Sequence, residues 1–191
     1  SKYFLVLVDD CTRYCWVYTL HSKHEAAVII RNFIVEMDRQ EGTCLKTLRT
    51  DRGGEFLSAQ LCEFFTSKGI RHQLTAPYTP QQNGVAEHKN RTLMEAVRSM
   101  LHHFHLPLPL WGEALQTAVY TQNRTISNST GKCTPYELWH GISPFVGHLR
   151  VFGSLAYVKE NGLGLRKLHP KATPVMFVGY STESKAYRFL H

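Results

Sequence analysis

No apolar run in this 191-residue chain approaches the roughly 18 residues that a membrane-crossing helix requires, so a membrane span has no support. Cysteine is scarce: Cys11, Cys15, Cys44, Cys62 and Cys133 make an odd set without a Cys-x-x-Cys pair. A disulfide framework and a zinc ribbon are therefore not indicated, and a reducing compartment is the expectation. No basic segment with a cleavage site stands before the strand-like run that follows Ser1-Lys2, so secretion is not expected. Charged residues are only 19% against 43% hydrophobic, and the 8 Pro and 13 Gly are dispersed, which argues against wholesale disorder, collagen and coiled coil. Acidic charge is the minority: 15 Asp and Glu face 22 Lys and Arg, a net +7 that favours a polyanionic partner. The length suits one domain, or one domain and the start of another, and the composition suits a globular enzyme or binding domain.

The chain opens on Tyr3-Phe4-Leu5-Val6-Leu7-Val8, a continuous apolar run that predicts a strand, with a second over Tyr14–Tyr18 after a turn through Asp9-Asp10-Cys11-Thr12. From Ser22, a suitable N-cap, Ala26, Ile29, Ile30, Phe33, Ile34 and Met37 recur at helical spacing until Gly42. Leu45–Thr50 alternates like a strand and runs into Asp51-Arg52-Gly53-Gly54, which puts Asp51 at a strand's C-terminal tip. Leu57, Leu61, Phe64 and Phe65 predict a second helix closing at Lys68-Gly69, and Ile70–Leu74 a short strand. Residues 76–84 form a polar Pro- and Gly-containing loop. A long helix comes next over about 85–101, with Leu93, Val97 and Leu101 on its apolar stripe and Glu87, Arg91, Glu95 and Arg98 on a polar face. After the break at His105–Pro109, Leu110, Trp111, Ala114, Leu115, Ala118 and Val119 mark another amphipathic helix. Beyond Asn123 short apolar runs such as Val151-Phe152 and Val175–Val178 alternate with turns at 127–131 and 161–164. The expected division is a core over 1–125 and a strand-rich appendage over 126–191 that packs on it.

The chemistry centres on two acids. Asp51 ends a strand, Glu87 lies in the first turn of a helix, and 35 residues separate them. A compact fold can bring both to one polar edge, where two carboxylates suit Mg²⁺, a hard ion that takes oxygen ligands and keeps waters for phosphate oxygens. Two-metal phosphodiester chemistry needs a further carboxylate. Read locally, Asp51 equally suits a turn before Gly-Gly, and Glu87 a favourable charge against the helix dipole. Gln81, Gln82 and Asn83 can offer amides to bases or phosphates, or cap their own loop. Lys89 and Arg91 can hold phosphates, or lie on an ordinary solvated face. Trp16, Trp111 and Trp139 are expected to pack between elements rather than to stack on bases.

DRGGEF at 51–56, GIRHQLTAPYTPQQNGVAEHKNRTL at 69–93, TPYELWHG at 134–141, FGSLAYV at 152–158 and HPKATPVMFVGYS at 169–181 together resemble the integrase region of copia-type LTR retrotransposon polyproteins. The first two motifs are similar to retroviral and retrotransposon integrases at large, the last three to the copia group. The resemblance implies an RNase H-like α/β fold, a mixed sheet flanked by helices and here N-terminally incomplete. It implies D,D-35-E carboxylates that bind Mg²⁺ or Mn²⁺, process the 3′ ends of element DNA and join them to target DNA. Asp51 matches the second aspartate and Glu87 the glutamate. Gln81, Gln82 and Asn83 match the mobile catalytic loop, and Lys89 and Arg91 the basic helix that contacts DNA ends. The first aspartate belongs to the preceding strand, upstream of Ser1, and Asp9 is read as a turn acid. His88 stands where the family usually has Arg. Double-stranded element-end and target DNA, a homo-oligomer, no membrane, and residence in the nucleus and cytoplasmic virus-like particles are what the parent protein would have. The competing reading is a non-catalytic DNA-binding or assembly module from a decayed or host-adopted integrase. A true RNase H is a weaker one.

Overall fold

The computed structural model describes residues 1–40, 42, 44–76, 84–159, 171–182 and 184–191. They form two compact units, one of Ser1–Leu7 with Val17–Asn90 and one of Val8–Trp16 with Arg91–His191. Packing thus groups residues 91–125 with the C-terminal part of the chain, whereas a division at 125 rests on sequence character. No helix among the described residues is long and apolar enough to cross a membrane.

The first unit is built on two strand pairs and two helices. Strands β1 (Tyr3–Val8) and β2 (Cys15–Leu20) pair, with Lys2 N–H donating to Leu20 O and Asp9 N–H to Tyr14 O at the two ends of the hairpin. Helix α1 (Glu25–Gln40) is opened by a reciprocal cap at Ser22-Lys23-His24-Glu25: Ser22 Oγ accepts the His24 N–H at 3.3 Å, and the Glu25 carboxylate accepts the Ser22 and His21 N–H groups at 2.9 and 3.2 Å, placing negative charge in the first turn. Gly42, φ +60°, lies just past its end. Strands β3 (Thr47–Thr50) and β4 (Arg71–Leu74) run parallel, and α2 (Ala59–Ser67) connects them, turning at Gly69, φ +67°. The predicted spacing holds in the core: Ala26, Ile30 and Ile34 of α1 meet Leu61 and Phe65 of α2, with Leu5, Leu20 and Ile70 closing the cluster. Each fully buried side chain of this size contributes roughly 1.5–3 kcal/mol, so these residues set the platform from which β3 projects.

Helix α3 (Gly84–His103) begins in the first unit and continues into the second, where Leu93, Val97 and Leu101 are buried. A 3₁₀ turn at Leu108–Leu110 leads into α4 (Trp111–Asn123), and a six-residue α5 (Pro135–His140) comes after it. The last part is an antiparallel sheet of β5 (Leu155–Lys159), β6 (Ala172–Tyr180) and β7 (Tyr187–Leu190), with β6 central. Val151-Phe152 is not a strand but the start of a turn, and β6 is longer than the apolar run Val175–Val178 within it. The turn predicted at 161–164 lies outside the described residues. Helix α4 packs against β6 at close range: a Cβ on Gly179 would sit 2.8 Å from Thr117 Oγ1. Arg188 of β7 pairs with Glu113 of α4 at 2.8 Å.

Candidate active site

The parallel pair places Asp51. In its register Thr47 faces Arg71, Leu48 His72, Arg49 Gln73 and Thr50 Leu74, and the Thr75 N–H extends the ladder to Thr50 O at 3.0 Å. Period-two alternation sends Arg49 and Gln73 to the exposed face, where the guanidinium donates to Gln73 Oε1 at 3.4 Å, and turns Leu48, Thr50, His72 and Leu74 the other way. Asp51, the first residue past β3, is exposed. Its Oδ1 accepts the Gly53 N–H at 2.9 Å, and its backbone carbonyl accepts the Thr50 hydroxyl at 2.9 Å. Arg52 Nε donates to Thr75 O at 3.2 Å, tying the turn to the end of β4. Gly53 lies close under two acidic side chains: a Cβ there would meet Glu55 Cδ at 2.9 Å and Asp51 Oδ1 at 3.1 Å, so a larger residue would have to push these carboxylates aside. Glu55 therefore brings a second carboxylate beside Asp51, a neighbour that spacing along the chain does not single out although it lies within the DRGGEF motif.

Glu87 is exposed in the first turn of α3, as its spacing predicts, and Arg91 is exposed on the same helix. Lys89 is half-buried and engaged in a contact of its own. Gln81, Gln82 and Asn83 lie outside the described residues. The donor chemistry suits a hard dication: Asp51 Oδ2 and both Glu87 oxygens carry no hydrogen bond or ion pair among the described residues. Among those residues no group of three His, Cys, Asp or Glu is gathered closely enough to hold an ion.

Asp9 is occupied otherwise. Its Oδ2 accepts the Thr12 N–H at 2.8 Å and the Thr12 hydroxyl at 2.7 Å, and its carbonyl accepts the Arg13 N–H at 2.9 Å, so the carboxylate shapes the hairpin turn, where Arg13 takes φ +62°. In the same unit Asn123, at the end of α4, clasps Cys15: Oδ1 accepts its N–H at 3.0 Å and its thiol at 3.3 Å, and Nδ2 donates to its carbonyl at 2.8 Å. Trp139 of α5 stacks on Tyr14, 5.8 Å between centroids, and meets Trp16 edge-on at 4.9 Å. These contacts give two of the three tryptophans packing roles.

With this geometry in hand, comparison defines the class. Residues 1–80 match the integrase core domain and residues 154–191 the retroviral polymerase SH3-like domain. The fold is RNase H-like, as in the crystal structure of the catalytic core domain of BIV integrase, which aligns with 72% of this chain and 85% of that one at TM-score 0.54 and 22% identity. A chain in the cryo-EM structure of the simian T-cell lymphotropic virus intasome in complex with PP2A regulatory subunit B56 gamma aligns over 98% of this chain and 69% of that one, at TM-score 0.58 and 20% identity. In sequence the chain is 42% identical over 98% of its length to the retrovirus-related Pol polyprotein from transposon TNT 1-94 of Nicotiana tabacum, and 34% identical over its whole length to that from transposon RE1 of Arabidopsis thaliana. It belongs, more particularly, with the integrase catalytic cores of retrotransposons. It spans 14% and 13% of the length of those two polyproteins.

Proposed function

We propose that this chain supplies two of the carboxylates, Asp51 and Glu87, of a Mg²⁺- or Mn²⁺-dependent site that processes the 3′ ends of element DNA and joins them to target DNA. The observation that carries the reading is the tip of β3. There an exposed aspartate is held by the turn through one oxygen while the other has no partner among the described residues, and an exposed glutamate opens α3. When bound, the metal polarises the attacking oxygen and offsets charge on the phosphate and leaving group. The protein's part is to hold ligands and substrate in line. Asp51 offers Oδ2 from a turn pinned to the end of β4, and Glu87 offers its carboxylate from the first turn of α3. Lys89 and Arg91 neutralise backbone phosphates, and Gln81, Gln82 and Asn83 direct amides at the DNA end. Phosphate contacts fix register without reading bases, so target choice is weakly sequence-dependent. No covalent protein intermediate is needed, since positioning and charge suffice for phosphodiester transfer. The partners are double-stranded element-end and target DNA and further copies of the integrase, in the nucleus and in cytoplasmic virus-like particles.

The test is strand transfer on labelled element-end DNA with Mg²⁺ or Mn²⁺, comparing residues 1–191 with a version extended upstream through the preceding strand and with D51N and E87Q in that extension. Activity only in the extended, unsubstituted protein is the expected result. Activity in residues 1–191 alone would return Asp9 or Asp10 to the site, and activity in D51N or E87Q would remove that residue from the metal set.

A further inference from the structure

The inner face of β3–β4 carries a polar pair where alternation calls for apolar side chains. Thr50 is buried, and His72, two positions before Leu74, the register partner of Thr50, is half-buried with its ring 5.0 Å from that of the core residue Phe65. Burial holds the His72 imidazole below its ordinary pKa and so favours the neutral ring. A polar group in such a place is kept for the hydrogen bonds it makes. His72 Nε2 lies 2.8 Å from Thr50 Oγ1, and that hydroxyl lies 2.9 Å from the Asp51 carbonyl oxygen.

Proton counting sets the direction of the bonds. A threonine hydroxyl has one hydrogen, and only a donor can satisfy a carbonyl oxygen, so the Thr50 hydrogen goes to Asp51 O. A lone pair of Oγ1 then faces the imidazole, and Nε2 must carry the proton. The series runs His72 Nε2–H to Thr50 Oγ1–H to Asp51 C=O, and each bond polarises the next. The carbonyl it ends on sets the plane of the 51–52 peptide. That plane feeds into the position of the Gly53 N–H, which in turn holds Asp51 Oδ1.

We propose that His72 and Thr50 are positioning residues for Asp51, a two-bond relay from β4 that fixes the direction in which the strand tip presents its carboxylate. The proposal rests on the reading of Asp51 as a metal ligand. It assigns to His72 a role that packing alone does not need, since leucine or methionine would fill the same face.

Two measurements test it. In residues 1–191, a long-range proton–nitrogen-15 spectrum reports the tautomer of His72: the neutral ring with the proton on Nε2 is expected, and a proton on Nδ1 overturns the relay. In the integrase bearing this chain, strand transfer is measured against Mn²⁺ concentration, with thermal unfolding measured on the same proteins. H72L and T50V are expected to raise the half-saturating Mn²⁺ about 10-fold, the scale of lost outer hydrogen bonds at metal sites. H72Q, whose amide nitrogen reaches the place of Nε2, and T50S, which keeps the hydroxyl, should stay close to the native value. If H72L and H72Q lose thermal stability alike and neither moves the Mn²⁺ dependence, His72 is structural and the proposal fails while D51N remains inactive. If D51N keeps full activity, the metal reading of Asp51 fails and takes the relay's purpose with it.

Discussion

Tyr18 lies on β2 with its ring edge-on to Phe33, 6.4 Å between centroids. Burial, with a smaller contribution from the Glu36 carboxylate, pushes its phenol from 10.0 up to about 12. The folded protein therefore keeps a proton that the unfolded chain gives up near pH 10, and stability falls with pH wherever the native state binds more protons. The stabilisation is complete below pH 10 and is lost as pH rises toward the folded value of about 12. Denaturant titrations of native protein and Y18F between pH 8 and 12 check this: the native protein should lose stability more steeply above pH 10. Equal slopes would mean that the phenol is no more shielded folded than unfolded. Asn123 illustrates the opposite economy at the same scale, since its amide meets Cys15 with both its oxygen and its nitrogen and leaves little polar capacity unused in a buried place.

Among the elements, α5 shows how six residues make a helix too short for periodicity to reveal. Thr134 Oγ1 accepts the Glu137 N–H at 3.1 Å, Pro135 occupies the first turn, and Gly141, φ +71°, closes the other end. A cap of this kind is worth about 1 kcal/mol, and the Tyr14 and Trp139 stack holds the rest. TPYELWHG is thus a motif with a local physical reason. The longer elements were legible because their apolar spacing matches their burial. Ala26, Ile30 and Ile34 read as one helical face and are one, and the turn after β3 puts Asp51 where Asp51-Arg52-Gly53-Gly54 says it should be. Strands β5 and β7 were not legible: Leu155, Tyr157, Val158, Tyr187, Phe189 and Leu190 are all exposed, so the alternation that marks a half-buried strand is absent. The contact of α4 with β6 was equally hidden, because it depends on what residue 179 lacks. Gly179 has φ +135°, and a methyl there meets Thr117 Oγ1 at 2.8 Å. G179A should lower stability by about 1–3 kcal/mol through overpacking, with backbone strain added. Denaturant unfolding measures this, and a ΔΔG near zero would show that helix and strand can separate without cost.

For the molecule as a whole, charge is the property that composition alone made legible. The formal +7 is expected to act on duplex DNA of any sequence. Binding measured by fluorescence anisotropy should weaken linearly in log affinity against log salt, with a slope of about −0.9 per phosphate neutralised. Arg91→Ala should make that slope shallower by about one if Arg91 holds a phosphate, and leave it unchanged if it is merely solvated. Pairs far apart in the chain are what no reading of one sequence could find. His72 meets Thr50 across 22 positions, and Asn123 meets Cys15 across 108. The second of these has a consequence in time. A ribosome adding about 5–20 residues per second needs on the order of 5–20 s to travel from Cys15 to Asn123. Throughout that interval Cys15 has been synthesised but Asn123 has not, so its backbone and thiol cannot yet make the hydrogen bonds that Asn123 gives them in the folded chain. The order of synthesis, and not only the final packing, decides when this part of the integrase core becomes native.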